Sequence, residues 1–194
     1  MEATASGAVY QIKVTLEDSK PPIWRRLLVP ADITLADLHE IIQVAMGWEN
    51  YHLHQFIVKG ECYGEPHPDY GFEMHDERKV TLRQVAPREG FKFRYEYDFG
   101  DSWLHQILVE KILPPEPGQF YPVCIKGKRA CPPEDVGGIW GYYHFLEVIR
   151  DPGHPEHKDY LEWIGGEFDP EAFDLEEVNQ ALRALWEWRH SSRR

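Results

Sequence analysis

Residues 9–17 of the chain read VYQIKVTLE, and this stretch decides the class of fold. Apolar side chains stand at every second position from Tyr10 to Leu16, and polar side chains separate them. Because successive side chains of a strand point to opposite faces, this alternation predicts a β-strand with one buried face. A pair of prolines then turns the chain before a second strand-like stretch at 23–29, which predicts a hairpin.

A helix is predicted directly after the hairpin, over residues 34–46. Thr34 is a favourable N-cap residue, because its hydroxyl can accept a hydrogen bond from the first turn. Apolar residues recur at helical spacing from Leu35 to Met46, and Gly47 suits the left-handed turn that ends a helix. The apolar stripe predicts that this helix lies across one face of the sheet.

Three more strands are predicted further along the chain. Residues 51–58 are rich in aromatic and β-branched side chains, and residues 91–97 alternate between aromatic and charged ones. Residues 103–113 carry apolar side chains on both faces, which indicates a strand in the centre of the sheet. Glycine, proline, histidine and aspartate are frequent in 60–77, so a long loop is predicted there.

Beyond the proline-rich segment 114–118 the pattern becomes helical, and three helices are predicted. Hairpins dominate the strand connections, so the fold class is predicted to be α+β rather than doubly wound. The expected architecture is a β-grasp-like mixed sheet of about five strands with one packed helix, followed by a C-terminal helical cap. We expect a single domain at 8–190, with a sheet-rich part at 8–113, a loop and helical cap at 119–190, and a disordered tail at 1–7.

The composition restricts the classes of partner. The net charge is −12, which argues against a general nucleic-acid binder because such proteins carry a basic footprint. No apolar run approaches the roughly 20 residues of a membrane-spanning helix, and residues 1–7 lack the features of a secretory signal. Three cysteines, an odd and low number, favour a reducing environment. The expected location is the cytoplasm, and the expected partner is a protein or a small ligand.

Two acidic pairs are the first candidates for chemistry. Asp98 and Asp101 flank a predicted turn, and Glu134 and Asp135 follow a double proline. Close carboxylates can hold a Mg²⁺ ion or divide acid and base roles between them. The structural alternative is that the aspartates cap a turn while the second pair stabilises a helix N-terminus. The candidate binding surface comprises Asp98, Asp101, Trp103, Glu134, Asp135, Trp140 and Tyr142.

A thiol pair is the second candidate. Six residues separate Cys124 from Cys131, and His154 and His157 could complete a tetrahedral zinc site. The spacing is loose, because structural zinc pairs are usually separated by about two to four residues. The alternative is that both cysteines are small buried side chains that pack a loop.

His52 and His54 form a third pattern. Alternate residues of a strand share a face, so the two imidazoles could be presented to one ion. Sequence spacing identifies no third ligand, and the alternative is that both histidines line the polar rim of a sheet.

Familiar catalytic motifs are absent from the sequence. It contains no P-loop, no dinucleotide-binding fingerprint and no Gly-x-Ser-x-Gly motif. Residues 98–100 read DFG, like the metal-binding triplet of protein kinases, but the other kinase motifs are missing. The triplet is therefore a chance match.

Several motifs together carry a resemblance to a known family. They are YQIKVTL (10–16), PIWRR (22–26), the helix at 34–48, HLHQF (52–56), YDFGDSW (97–103), CPPEDVGG (131–138), GY (141–142) and the segment 169–179. In these segments the chain resembles the plasmid pRiA4b ORF-3-like family, over nearly all of its length at 8–185. The resemblance implies a mixed α/β fold carried by plasmids, transposable elements and chromosomes. It implies no settled activity and no catalytic residues.

The leading hypothesis is a non-enzymatic binding or accessory module associated with plasmids or transposable elements. The competing hypothesis is a metal-dependent hydrolase or nuclease of a mobile element, in which clustered carboxylates hold the ion and His105 or His144 acts as base. Carboxylates from both acidic pairs around one point, facing a cleft, would favour the enzyme. Carboxylates that bond only to local backbone would favour the module.

Overall fold

The chain forms one mixed β-sheet with helices packed against it, an α+β fold. The computed structural model describes residues 7–192. The strands are β1 (Val9–Leu16), β2 (Trp24–Pro30), β3 (His54–Val58), β4 (Glu61–Gly64), β5 (Met74–Asp76), β6 (Lys92–Tyr97), β7 (Trp103–Leu113) and β8 (Val123–Lys128). The helices are α1 (Leu35–Met46), α2 (Leu82–Val85), α3 (Gly138–Arg150), α4 (His157–Ile164) and α5 (Leu175–Ser191). The strand order is β5-β4-β3-β6-β7-β1-β2-β8.

The predicted β-grasp-like sheet of about five strands with one packed helix is wrong. The described residues contain eight strands and five helices. β4 and β5 lie inside 60–77, which was expected to be a loop. They have four and three residues, so neither is long enough for alternation to appear in the sequence. β8 is an edge strand in which only the first three residues are apolar; Lys126, Gly127 and Lys128 follow, so the strand shows neither alternation nor a long apolar run.

The first hairpin forms the centre of one half of the sheet. β1 and β2 pair antiparallel, from Val9 opposite Pro30 to Thr15 opposite Trp24. On its other side β1 pairs antiparallel with β7. The side chains that alternate from Tyr10 to Leu16 are at most 1% exposed, because they face the core from a strand with neighbours on both sides.

Helix α1 covers the buried face of the sheet, and its ends are set by side-chain and backbone caps. The Thr34 hydroxyl accepts a hydrogen bond from the Asp37 backbone N–H, and the Asp37 carboxylate accepts one from the Thr34 N–H. The helix ends at Gly47, which adopts the left-handed conformation with a φ of 111°. Between the caps, Leu35, Leu38 and other apolar residues belong to the same buried cluster as the strands.

A buried arginine links the end of α1 to the end of β8 and to the residue that follows it. Arg25 is 2% exposed, and its guanidinium donates to the backbone carbonyls of Ala45 at 2.7 Å and Met46 at 3.3 Å. It also donates to the carbonyls of Lys128 at 2.9 Å and Arg129 at 2.8 Å. Burial lowers the pKa of Arg25 from its ordinary value. The side chain is thus a structural crosslink rather than part of a basic surface.

The C-terminal helix α5 protects the sheet edge formed by β8. Asn179 accepts a hydrogen bond from the Cys124 N–H at 2.7 Å and donates one to the Cys124 carbonyl at 2.8 Å. These two bonds replace the missing neighbour strand, so β8 offers less free backbone to another chain.

The remaining predictions concern the ends of the chain and the membrane. Of the predicted tail at 1–7, only Gly7 lies among the described residues. Within 7–192, the helices are too short or too polar to span a lipid bilayer.

Burial in the core holds two histidines in their neutral form. The His105 Nδ1 lies 3.2 Å from the Tyr95 carbonyl and donates to it, so Nε2 accepts from the Trp48 indole N–H at 3.2 Å. Burial lowers the pKa of His105 to about 4. Burial, followed by the nearby His54, lowers the pKa of His39 to about 3. A charged imidazole at either position would lose a hydrogen bond and its solvation.

We predict that the free energy of unfolding decreases as the pH falls from 7 to 5. The unfolded chain protonates both histidines below a pKa of 6.5, whereas the folded chain does so only near 4 and 3. Protons therefore bind preferentially to the unfolded state in this window, and each histidine lowers stability by about 1–2 kcal/mol at pH 5. Urea unfolding at pH 7, 6 and 5 measures the effect. His105→Gln should reduce the pH slope, and a change at exposed His67 should not; equal slopes in all three proteins would contradict the prediction.

Candidate metal centre

The two predicted acidic segments lie against each other. The Asp101 carboxylate accepts a hydrogen bond from the Gly137 N–H at 3.0 Å. A Cβ atom on Gly138 would lie 2.5 Å from the Asp101 carbonyl oxygen, so the two backbones touch here. The turn at 98–101 and the loop at 131–138 therefore form one continuous surface.

Asp98 uses one carboxylate oxygen for its turn and leaves the other for the site. Oδ1 accepts hydrogen bonds from the N–H groups of Gly100 at 3.0 Å and Asp101 at 3.3 Å. The Asp98 N–H donates to the Leu53 carbonyl at 2.8 Å, which joins this turn to the start of β3. Oδ2 lies 3.6 Å from Nε2 of His52.

Glu134 likewise uses one carboxylate oxygen for hydrogen bonds and directs the other toward His52. Oε1 accepts hydrogen bonds from the Tyr97 hydroxyl at 3.0 Å and the Glu49 N–H at 2.8 Å. Oε2 is buried, has no hydrogen-bond partner among residues 7–192, and lies 3.8 Å from Nε2 of His52. Burial, assisted by the Glu134 carboxylate, raises the pKa of Tyr97, so this hydroxyl stays a neutral donor.

His52 stands at the point where the carboxylates meet. Its Nε2 lies 2.7 Å from Oδ1 of Asp135, within ion-pair distance, and it has no hydrogen-bond partner among residues 7–192. Donor atoms of His52, Asp98 and Asp135 all lie within 4.8 Å of one another. The side chain of Asp98 is 11% exposed and that of Asp135 is 62% exposed, so the centre opens to solvent beside Asp135.

This arrangement fits a divalent cation. Buried polar atoms without hydrogen-bond partners are uncommon in folded proteins, and Nε2 of His52 and Oε2 of Glu134, 3.8 Å apart, are two such atoms. Oxygens of Asp98, Glu134 and Asp135 lie 3.6, 3.8 and 2.7 Å from Nε2 of His52, and carboxylates placed so close to one group are stabilised by a positive charge among them. An imidazole nitrogen with carboxylate oxygens is a donor set suited to Zn²⁺, Mn²⁺ or Fe²⁺.

The aromatic members of the predicted surface occupy different environments. Trp103 is buried in the core, with its ring centroid 5.0 Å from that of Trp48. Trp140 is 73% exposed, and Tyr142 is almost fully buried. Trp140 and Tyr142 line a groove of about 440 Å³ along α3. His52 and the three carboxylates around it do not line this groove. Its other polar and charged lining residues include Lys20, Arg129, Tyr143 and Arg150.

The predicted thiol site lacks the geometry of the carboxylate centre. Among residues 7–192, Cys124, Cys131, His154 and His157 do not gather three donor atoms within 4.8 Å. Burial raises the pKa of the Cys124 thiol to about 11 and that of Cys131 well above its ordinary value. His157 instead donates to the Val148 carbonyl at 2.9 Å. The geometry therefore favours the carboxylate centre over the thiol pair.

The two histidines suggested as bases are also placed by the structure. His105 is fully buried, and both of its ring nitrogens are hydrogen-bonded within the core. His144 lies on α3, with Nε2 3.4 Å from a carboxylate oxygen of Glu156. His105 therefore cannot meet a substrate that approaches from solvent.

His52 and His54 do not share one site. His54 opens β3 and bonds through Nε2 to Glu77 at 2.7 Å, whereas His52 precedes the strand and turns toward Asp98. The pairing of His54 with Tyr97 brings the two segments together. Spacing along the sequence could not show that Asp98 lies near His52, because this proximity depends on the register between β3 and β6.

Comparisons with known proteins agree with the fold. The family model described as plasmid pRiA4b ORF-3-like protein matches residues 8–177. Uncharacterized protein y4hQ of Sinorhizobium fredii is 40% identical over 191 residues, which cover 97% of this chain and 98% of that protein. The crystal structure of a protein of unknown function, MM3350 from Methanosarcina mazei Go1, matches with a TM-score of 0.79 and 41% identity, covering 88% of this chain and 97% of that one.

We predict that Gly138→Ala separates the two acidic segments. Gly138 has a φ of 70° and no room for a Cβ beside the Asp101 carbonyl. Gly165 has a similar φ of 83° but nothing within 4 Å, so Gly165→Ala is a matched control. Both changes carry the cost of a left-handed alanine, roughly 1 kcal/mol. Urea unfolding should show a clearly larger loss for Gly138→Ala, and equal losses would mean that the contact is not required.

Proposed function

The chain belongs to the plasmid pRiA4b ORF-3-like family, and we propose that it is a divalent-metal-binding accessory module. The observation that carries the proposal is the cluster around Nε2 of His52, which lies within 3.8 Å of a carboxylate oxygen from each of Asp98, Glu134 and Asp135. Neither this nitrogen nor Oε2 of Glu134 has a hydrogen-bond partner among residues 7–192. The name of the family supports an association with plasmids. A role in mobile elements is part of the proposal.

The donor set supports a transition-metal ion rather than Mg²⁺ or Ca²⁺. Mg²⁺ and Ca²⁺ are usually held by oxygen alone, whereas an imidazole nitrogen is a common ligand of Zn²⁺, Mn²⁺ and Fe²⁺. The three carboxylates would offset the charge of a divalent ion. Tyr97 and the Glu49 N–H would act as outer partners, because they hold the Glu134 carboxylate from its far side.

The surroundings of the site support binding. Tyr51 and Leu53 flank His52, Phe99 follows Asp98, and all three side chains are exposed. Exposed apolar side chains grouped around a polar centre are typical of surfaces that contact another molecule. The proposed partner is a protein or a small ligand that supplies a metal-binding oxygen or nitrogen atom from the side of Asp135.

One observation supports the metal-dependent hydrolase as a second candidate. Asp98 comes from one acidic segment and Glu134 and Asp135 from the other, yet all lie around His52. A metal ion that keeps a solvent-facing position can activate a bound water molecule. Against this candidate, His105 is too deeply buried to serve as a base.

We predict that the metal-free protein binds one Mn²⁺ or Zn²⁺ ion per chain in isothermal titration calorimetry. Asp98→Asn and Glu134→Gln each remove a charged donor, so each should weaken binding at least about tenfold. Glu110→Gln is the matched control, because the side chain of Glu110 is also largely shielded from solvent and hydrogen-bonded but pairs with Arg26 elsewhere on the sheet. Its affinity for metal should equal that of the wild type.

The same samples separate the two candidate functions. No binding by the wild type, or equal binding by all the variants, would remove the metal proposal. Hydrolysis of bis-p-nitrophenyl phosphate by the metal-loaded wild type, lost in Asp98→Asn and Glu134→Gln, would favour the hydrolase. Stoichiometric binding without turnover would favour the module.

A further inference from the structure

The loop between α1 and β3, which carries His52, is anchored to buried polar side chains at Asn50. Asn50 adopts a left-handed conformation with a φ of 57°. Its N–H donates to Oε1 of Gln43 at 2.9 Å. Its Oδ1 lies 2.9 Å from Nε2 of His39, which donates to it because an amide oxygen can only accept. Asn50 is therefore fixed through both its backbone and its side chain.

Gln43 and His39 both also form a hydrogen bond with Tyr95. Nε2 of Gln43 donates to the Tyr95 hydroxyl at 2.9 Å, and that hydroxyl lies 2.7 Å from Nδ1 of His39. Since Nε2 of His39 carries the proton, Nδ1 accepts from Tyr95. Gln43, Asn50, His39 and Tyr95 thus form a closed ring of hydrogen bonds, and we call these four residues the polar ring.

The polar ring has one consistent assignment of donors and acceptors. The hydroxyl of Tyr95 both donates and accepts, and both ring nitrogens of His39 are used. Gln43, His39 and Tyr95 are at most 4% exposed, so water is not a ready substitute for a lost partner. A buried network in which every member is paired selects a single arrangement of the segments that it joins.

The polar ring lies next to the contacts of the metal centre. Tyr95 and Tyr97 are two residues apart on β6, and alternate residues of a strand share a face. Tyr95 belongs to the ring that holds Asn50, while the Tyr97 hydroxyl accepts from the Tyr51 N–H at 2.9 Å. Two successive loop residues are therefore fixed immediately before His52.

We infer that the polar ring is a positioning unit for the metal centre, which orients His52 toward the carboxylates of Asp98 and Asp135. This inference rests on the proposed metal-binding function. None of the four ring residues belongs to the set of converging donors, so the ring acts through the loop conformation. A ligand that loses its supporting contacts binds the metal less tightly, because the productive geometry is then only one of several.

Tyr95→Phe tests the inference, and Tyr10→Phe is its matched control. Both changes remove one hydroxyl from a buried tyrosine; that of Tyr10 donates to the Ala86 carbonyl at 2.9 Å, away from the ring. A purely structural role predicts that both variants lose stability and that neither changes metal binding. A positioning role predicts about tenfold weaker Co²⁺ binding for Tyr95→Phe alone, with a changed visible absorption spectrum of the bound Co²⁺.

The outcomes are distinguishable. Failure of the wild type to bind Co²⁺, Mn²⁺ or Zn²⁺ overturns the metal function together with this inference. Binding by the wild type, with unchanged affinity and spectrum in Tyr95→Phe, overturns the positioning role alone. Circular dichroism establishes that each variant is folded. If Tyr95→Phe does not fold, Gln43→Met removes two ring bonds by a different substitution and is judged by the same two measurements.

Discussion

The buried guanidinium of Arg25 is the constraint on which the rest of the structure depends. Its five donor groups are used by five backbone carbonyls, including two at the end of α1, one at the last residue of β8 and one at the residue after it. The negative end of a helix dipole favours a cation at the α1 terminus. Lysine could not make this contact, since its ammonium group has three donors and no planar fork. The interaction fixes a helix end against a loop in place of a salt bridge.

The consequence for the candidate centre is geometric. The loop that carries His52 begins where α1 ends, and the loop that carries Glu134 and Asp135 begins just after Arg129. By joining these two starting points, Arg25 places the loops side by side. The close approach of Gly47 to Cys131 reflects this, since a Cβ on Gly47 would lie 3.2 Å from that of Cys131. The third segment, with Asp98, is placed by the pairing of β6 with β3 and β7.

The sequence was sufficient to locate a strand or helix where its pattern of apolar residues repeats several times. β1 alternates over eight residues and α1 carries an apolar stripe over twelve, so both could be located from periodicity. β5 has three residues and α2 has four, which is less than a period can reveal. The acidic residues of the centre were identified from their local chemistry. His52 was also recognised as a possible ligand, but its proximity to Asp98 could not be predicted, because that distance depends on the register between β3 and β6.

The proposed centre also explains a local arrangement that destabilises the folded chain. Asp98 and Asp135 both adopt left-handed backbone conformations, with φ values of 62° and 60°, and both direct a carboxylate toward the same imidazole. In a chain with a net charge of −12, such convergence opposes folding unless a cation compensates for it. Arg25, the polar ring and the contact between Gly138 and Asp101 supply the packing and hydrogen bonds that can hold the carboxylates together. Under this proposal, holding the carboxylates together lowers the free energy of unfolding of the metal-free chain. Binding of a divalent ion would raise it again, because the ion binds the folded chain preferentially.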